Sequence, residues 1–193
     1  MKELTERIRK DGKILPGDIL KIDNFLNHQV DVELVDHIGE EFHRLFKDKN
    51  VSKILTVESS GIAIAAAASR CFGYIPVVYA KKTVAANMNK DTYQCTEHSY
   101  TRNIEYTLQV AKEFLSSEDN VLILDDFLAN GEAMNALISI CKQAGANIVG
   151  CGSVVCKTYQ PGEQRIKDLG YDVKVLARVK AMNDDGQIEF EEE

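Results

Sequence analysis

A chain of 193 residues, 45% apolar and 27% charged, has the composition of one globular domain with a sizeable core. Its net charge of −7 weighs against an extended nucleic-acid surface, although a local Lys or Arg can still hold a small phosphorylated molecule. No apolar run reaches bilayer-spanning length, residues 1–15 lack a secretory pattern, and Cys71, Cys95, Cys141, Cys151 and Cys156 match no zinc or CxxC spacing. The expectation is a cytoplasmic protein with free thiols and no membrane partner.

Residues 2–10 read as a short helix with Leu4 and Ile8 on one face. Residues 13–23 alternate loosely and predict a turn with a short strand. Asp31 is a good N-cap for a helix over 32–46, with Val32, Val35, Ile38, Phe42 and Leu45 as its apolar stripe. A buried strand follows at 54–57. An alanine-rich helix over 61–72 ends at Gly73, and 75–80 is a second strand with Pro76 near its start. Residues 82–100 are polar and poor in helix signal, which predicts a long flexible loop of the functional kind. A helix is expected over 105–115, a strand over 121–124, and a helix over 132–144 stopped by Gly145. A glycine-interrupted strand at 148–156, a helix opened by Pro161 and Glu163, and a strand at 173–177 complete the rhythm. Asp184-Asp185-Gly186 is a turn signal that could close a terminal hairpin, and the acidic end reads as a solvated tail. The fold class is therefore α/β: one domain over 1–193, a central mostly parallel sheet flanked by helices. A small hood is expected from about 11–30 and 178–193.

The chemistry concentrates where strands give way to helices, the edge at which open α/β sheets bind ligands. Asp125 and Asp126 end an apolar strand. Such carboxylates accept hydrogen bonds from sugar hydroxyls, and their mutual repulsion is relieved by a ligand-facing position. The loop Ala129-Asn130-Gly131-Glu132-Ala133 leads into a helix whose free N–H groups suit a phosphate. Gly131 supplies backbone freedom there. Glu132 has to turn outward, because its charge repels an anion. Glu58-Ser59-Ser60-Gly61 forms a second such junction; it reads either as an anion cradle or as a plain helix cap. Lys81-Lys82 ends a third strand with paired cations, Lys81 taking the larger share of a pyrophosphate contact; Arg102 is a weaker candidate. Asn27, His28 and Lys157 are turn or strand-end residues on sequence physics alone.

The pattern Asp125-Asp126-Phe127-Leu128-Ala129-Asn130-Gly131 resembles the ribose-phosphate signature of the type I phosphoribosyltransferases. These enzymes move ribose 5-phosphate from phosphoribosyl pyrophosphate (PRPP) to a base. Asn130 stands where the family more often has threonine. With Leu20-Lys21-Ile22-Asp23-Asn24-Phe25-Leu26-Asn27-His28-Gln29, Thr56-Val57-Glu58-Ser59-Ser60-Gly61 and Lys157-Thr158-Tyr159-Gln160-Pro161-Gly162, the chain is similar to the bacterial xanthine-specific members over essentially its whole length. The resemblance implies Leu20, Asn27 and Lys157 at xanthine; the residues themselves place Asp125, Asp126 and Lys81 at the reacting centre, and Phe127 reads either as a cover for part of the ring or as a structural residue beside Asp126. It implies Glu58, Ser59, Ser60, Gly61 and Ala129, Asn130, Gly131, Glu132, Ala133 at PRPP. It also implies Mg²⁺ held mainly through PRPP, with no protein metal cluster, and a homodimer serving purine salvage. The rivals are transfer to guanine, hypoxanthine or another base, and a non-catalytic sensor of PRPP or a purine.

Overall fold

The computed structural model describes residues 1–82, 91–99, 104–183 and 186–191. The elements in chain order are α1 (Lys2–Asp11), β1 (Lys13–Leu15), β2 (Ile19–Lys21), α2 (Val32–Phe46), β3 (Lys53–Val57), α3 (Ser60–Cys71), β4 (Val77–Ala80) and β5 (Thr92–Ser99). They continue with β6 (Ile104–Ala111), β7 (Asn120–Leu128), α4 (Glu132–Ala144), β8 (Asn147–Lys157), α5 (Gly162–Asp168), β9 (Val173–Met182) and β10 (Ile188–Phe190).

Six strands form the central sheet in the order β10-β9-β8-β7-β3-β4. Every neighbouring pair is parallel except β10 with β9. The apolar runs of the sequence follow from burial on both faces. Ile54, Leu122 and Leu124 pack with Phe42 of α2 and Ile64 of α3, whereas Leu55, Val121 and Ile123 pack with Leu137 and Ile140 of α4. Helix α2 starts where Asp31 accepts the Leu34 N–H at 3.3 Å. That bond, with Arg7 beside it, holds the Asp31 carboxyl below the usual range. From β3 the chain steps outward to β4, then returns to β7 on the other side of β3. The strand order thus reverses between β3 and β7, and a crevice opens outside the carboxyl ends of those two strands.

Two expectations need correction. Residues 105–115 are not a helix: β6 runs antiparallel to β5 with Thr92 opposite Ala111, and a 3₁₀ turn, Lys112–Phe114, follows it. The β-branched and aromatic content at Ile104, Tyr106, Thr107 and Val110 wins over a weak helical stripe. Its partner strand was hidden in the polar stretch read as a loop over 82–100. Within that stretch Thr92–Ser99 is strand β5, and Gln143 of α4 donates to the Gln94 carbonyl at 2.8 Å. The remainder of the expected loop from 83 to 90, with residue 100 and Arg102, lies outside the described residues. At the other end, 178–182 belongs to β9, and β10 extends the central sheet. Strands β1 and β2 form a separate two-stranded ribbon. No helix among the described residues is long and apolar enough to cross a membrane.

Candidate active site

Strand β7 runs four residues beyond its expected end. Asp125 and Asp126 therefore lie within the strand, and Asp125 sits in register with Ser153 of β8. Asp125 is only 3% exposed and accepts the Asp126 backbone N–H at 3.0 Å. Burial, and then the neighbouring Asp126 charge, push its carboxyl well above the usual range; the Lys82 ammonium opposes this weakly. Asp126 accepts from Asn27 Nδ2 at 2.8 Å. Asn27 is delivered by a single wide turn, Asp23–Asn27, that is closed by the Gln29 N–H on the Asp23 carbonyl. One of its two amide N–H donors is given to Asp126, which sets the amide orientation. The carbonyl oxygen of Asn27 is left buried with no partner among the described residues. A buried acceptor of this kind calls for a donor from a ligand or water.

The following loop is propped from below. The Ala129 carbonyl accepts the Gly162 N–H at 2.9 Å, and the Asn130 carbonyl accepts from Arg165 at 3.0 Å. A Cβ at position 162 would stand 2.2 Å from the Ala129 oxygen, so only glycine allows α5 to approach this closely. Gly131, at φ 90°, turns the chain into α4, whose first-turn N–H groups lack helical acceptors by construction. Glu132 does not simply turn outward: one of its carboxyl oxygens is enclosed in that first turn, without a partner among the described residues.

At the neighbouring junction Glu58 is tied down. Its N–H reaches the Ala80 carbonyl at 3.1 Å, and its Oε1 accepts the Lys82 N–H at 2.7 Å. The Glu58–Ser59 peptide is cis. Ser59 holds the N-cap position of α3 but makes no side-chain cap bond there, so its hydroxyl is not used as the plain-cap alternative required. A Cβ on Gly61 would fall 2.0 Å from the Thr56 hydroxyl oxygen.

Lys81 and Lys82 part company. Lys81 exchanges both backbone hydrogen bonds with Gln109 and places its ammonium over the Tyr79 ring, 5.9 Å from the centroid. It lines a groove of about 480 Å³ between β4 and β6, with Lys53 and Phe114. Lys82 is the cation whose charge reaches Asp125. The Lys81 side chain is thus engaged at Tyr79 and in the β4–β6 groove.

The second half of the crevice is roofed by the β1–β2 ribbon. Leu20 is buried there, and half-buried Phe127 packs against the same apolar cluster. Lys157, at the end of β8 and 8% exposed, donates to the backbone carbonyl and carboxylate of Asp18. Asp18, Gly162 and Arg165 are participants to which sequence reading gives no role, and Lys82 is the cation to which it gives the smaller share. The triplet Pro16-Gly17-Asp18 is legible as a turn, and nothing in it announces a partner at the far end of β8. The expected free thiols are present: none of the five cysteines is in a disulfide. Burial pushes Cys141, Cys151 and Cys156 up to about 12, far from nucleophilic use.

A family model described as the phosphoribosyl transferase domain matches residues 21–190. The chain is 48% identical over 191 residues to a protein of Bifidobacterium adolescentis named xanthine phosphoribosyltransferase, covering 98% of this chain and 99% of that one. A protein of the same name from Pediococcus pentosaceus is also 48% identical over 191 residues, covering 99% and 100%. Among solved structures, adenine phosphoribosyltransferase from Trypanosoma brucei, in complex with AMP, pyrophosphate and ribose-5-phosphate, has the same fold, with a TM-score of 0.78. That likeness covers 95% of this chain and 82% of the other at 17% identity. A matching family model over most of the chain, near-full-length relatives and a shared fold lead to one conclusion: the chain belongs to the type I phosphoribosyltransferase family.

Proposed function

We propose that the chain is a xanthine phosphoribosyltransferase, which transfers ribose 5-phosphate from PRPP to N9 of xanthine and releases pyrophosphate and xanthosine 5′-monophosphate. The observation that carries this reading is the Asn27–Asp126 bond, 2.8 Å long, at the crevice between β3 and β7. It joins the residue expected at the base to a residue expected at the ribose, so both halves of the reaction meet at one point. The near-full-length relatives named for xanthine support the choice of base.

In this reading Asp125 and Asp126 accept the ribose hydroxyls, and residues 129–133 hold the 5′-phosphate through backbone donors. Glu58, Ser59, Ser60 and Gly61 shape the pyrophosphate pocket, with Lys82 and Lys81 as its nearby cations. The buried oxygen of Asn27 accepts an N–H of the purine. Lys157 donates to an oxo group, Leu20 bounds the ring, and Phe127 covers part of its face. As the C1–pyrophosphate bond breaks and the N9–C1 bond forms, positive charge develops at C1, and the carboxylates hold the sugar in line for attack. Mg²⁺ fits this donor set without a protein cage. It prefers oxygen, keeps several waters and is bound through one or two carboxylates plus substrate phosphates. Asp125 and Asp126 are the carboxylates beside such a complex; when bound, the ion screens the pyrophosphate charge. The same proposal includes a cytoplasmic homodimer acting in purine salvage.

The test is a panel of purines with PRPP and Mg²⁺, followed by pyrophosphate release. The expected order is xanthine, guanine, hypoxanthine, with adenine inactive because its 6-amino group cannot accept from Lys157. Rapid turnover of guanine or hypoxanthine with none of xanthine would sink the assignment of the base. PRPP binding with turnover of no purine would point to a sensor.

A further inference from the structure

Three side chains from the segment that leaves β8 converge on one carboxylate in the β1–β2 turn. Lys157 donates to the Asp18 carbonyl and, at 3.4 Å, to Oδ2. The Tyr159 hydroxyl donates to Oδ1 at 2.6 Å, and Gln160 Nε2 donates to Oδ2 at 2.8 Å. The turn is shaped to present this group. Gly17 lies at φ 86° and Asp18 at φ 62°, the left-handed region that Asp and Asn tolerate better than most side chains.

An ammonium on a flexible stem is ordinarily a rotating point charge with three equivalent donors. Here two of the three are directed at Asp18, and the nearby carboxylate offsets the charge. What remains is a single donor in a fixed direction. We infer that Asp18 is a positioning residue for purine selectivity: it aims the remaining N–H of Lys157 at the oxo edge of the base and latches the β1–β2 turn over the pocket. The inference rests on placing Lys157 at the purine, as proposed above. A directed donor tells an oxo group from an amine at one ring position. A loose ammonium swings to whatever acceptor is near, and guanine still offers its 6-oxo group. Selectivity thus depends on Asp18, although Asp18 need not touch the base.

Initial rates with xanthine and with guanine, varying base and PRPP separately, test this in wild type, Lys157→Met, Asp18→Gly and Asp18→Asn. Glycine keeps the left-handed backbone and the carbonyl but removes the carboxylate. Asparagine keeps an acceptor oxygen without the charge. The expected result for Asp18→Gly is a KM for xanthine raised roughly tenfold, the worth of one charge-assisted hydrogen bond, and a xanthine-to-guanine ratio of kcat/KM close to that of Lys157→Met. The KM for PRPP should stay within about twofold of wild type, which separates positioning of the base from general damage. Asp18→Asn should fall between wild type and Asp18→Gly, a partial rescue that mere turn formation does not require. If Lys157→Met changes the base ratio and both Asp18 variants keep the wild-type ratio, the inference is wrong. Should Asp18→Gly fail to fold, Asp18→Asn decides alone: an intermediate ratio supports the inference and a wild-type ratio overturns it. An unchanged ratio in Lys157→Met removes Lys157 from the purine, and the inference falls with it. Wild type inactive on xanthine overturns the proposed function instead.

Discussion

The crevice is walled by two junctions of the same outline, each a buried strand, a short turn and a helix, held in place by different physics. The β3–α3 junction closes on itself. Glu58 is bound through its own N–H and through the Lys82 N–H, and the Thr56 hydroxyl occupies the space a Gly61 side chain would need. The β7–α4 junction is propped from outside, by Gly162 and Arg165 of α5, and it keeps unmet electrostatic demands. A buried carboxyl lies beside a second carboxylate, and among the described residues one oxygen of Glu132, and one of Asn27 from the facing turn, have no partner. The first junction has its carboxylate met from within the protein, and the buried atom it leaves without a partner among the described residues is the neutral Thr56 hydroxyl. The second is finished only with something else in the crevice. Steric closure shapes the first loop, and buried carboxylate charge collects at the second.

The sharpest way to break this contrast is to crowd the self-closed junction. Gly61→Ala places a Cβ 2.0 Å from the Thr56 oxygen, and both residues are buried in a packed layer. The expected cost is about 3 kcal/mol, at the upper end for overpacking, which lowers Tm by roughly 6–12 °C in a chain of this size. Removing the obstructing hydroxyl with Thr56→Ala should return part of that loss, and a double-mutant cycle by thermal melting measures how much. A Gly61→Ala protein that melts with wild type would show that the junction is not held by steric closure.

The contrast also explains what could be read in advance. Apolar runs, glycine stops and the Asp31 cap made β3, α2, α3 and α4 legible, because those elements are dictated locally. The helix expected over 105–115 was wrong because β6 takes its state from pairing with β5, a strand too polar to announce itself. The carboxylates were found from their place after an apolar run, but their burial was not. It depends on β8 and β9 continuing alongside, with Ser153 opposite Asp125. Asp18 was missed for the same reason: a turn aspartate is a local signal, and its bonds to Lys157, Tyr159 and Gln160 come from a segment 139 to 142 residues further along the chain. Local patterning gives the elements and the first candidates, while second partners depend on topology.

A smaller effect, of opposite sign in two assays, is expected from Asp125→Asn. The carboxyl pKa of Asp125 is raised in the fold by burial and by Asp126. The proton is therefore bound more tightly folded than unfolded. The stability this group contributes is fully present below its unfolded value, near 3.8, and is lost as pH rises through the higher folded value. By neutral pH that contribution is diminished, and the amide, which has no proton to lose, escapes the loss. Tm at neutral pH should then rise by roughly 2–4 °C for each kcal/mol relieved. The acid-side gain in stability expected of wild type should shrink. Catalysis should move the other way, with kcat/KM for PRPP falling by about 1–3 kcal/mol of lost charge-assisted hydrogen bonding. Melting at several pH values alongside kinetics checks both signs. A variant that loses stability and activity together would place Asp125 among structural residues.

The smallest effect belongs to the carboxylate of the first junction, and it is the control for the second. Glu58→Gln removes a charge but leaves an amide oxygen able to accept the Lys82 N–H that now binds at 2.7 Å. The bond lies near the surface, and a neutral acceptor gives up only part of its worth, so about 0.5 kcal/mol of stability should be lost. In Tm that is roughly 1–2 °C downward, opposite in sign to Asp125→Asn at the same pH. The signs differ because Glu58 is used by a donor within the protein, whereas Asp125 is buried beside a like charge. Paired melts of the two amide variants at neutral pH measure this directly. Should Glu58→Gln raise Tm as Asp125→Asn does, the first junction carries unrelieved charge too, and the division between a closed wall and an open one disappears.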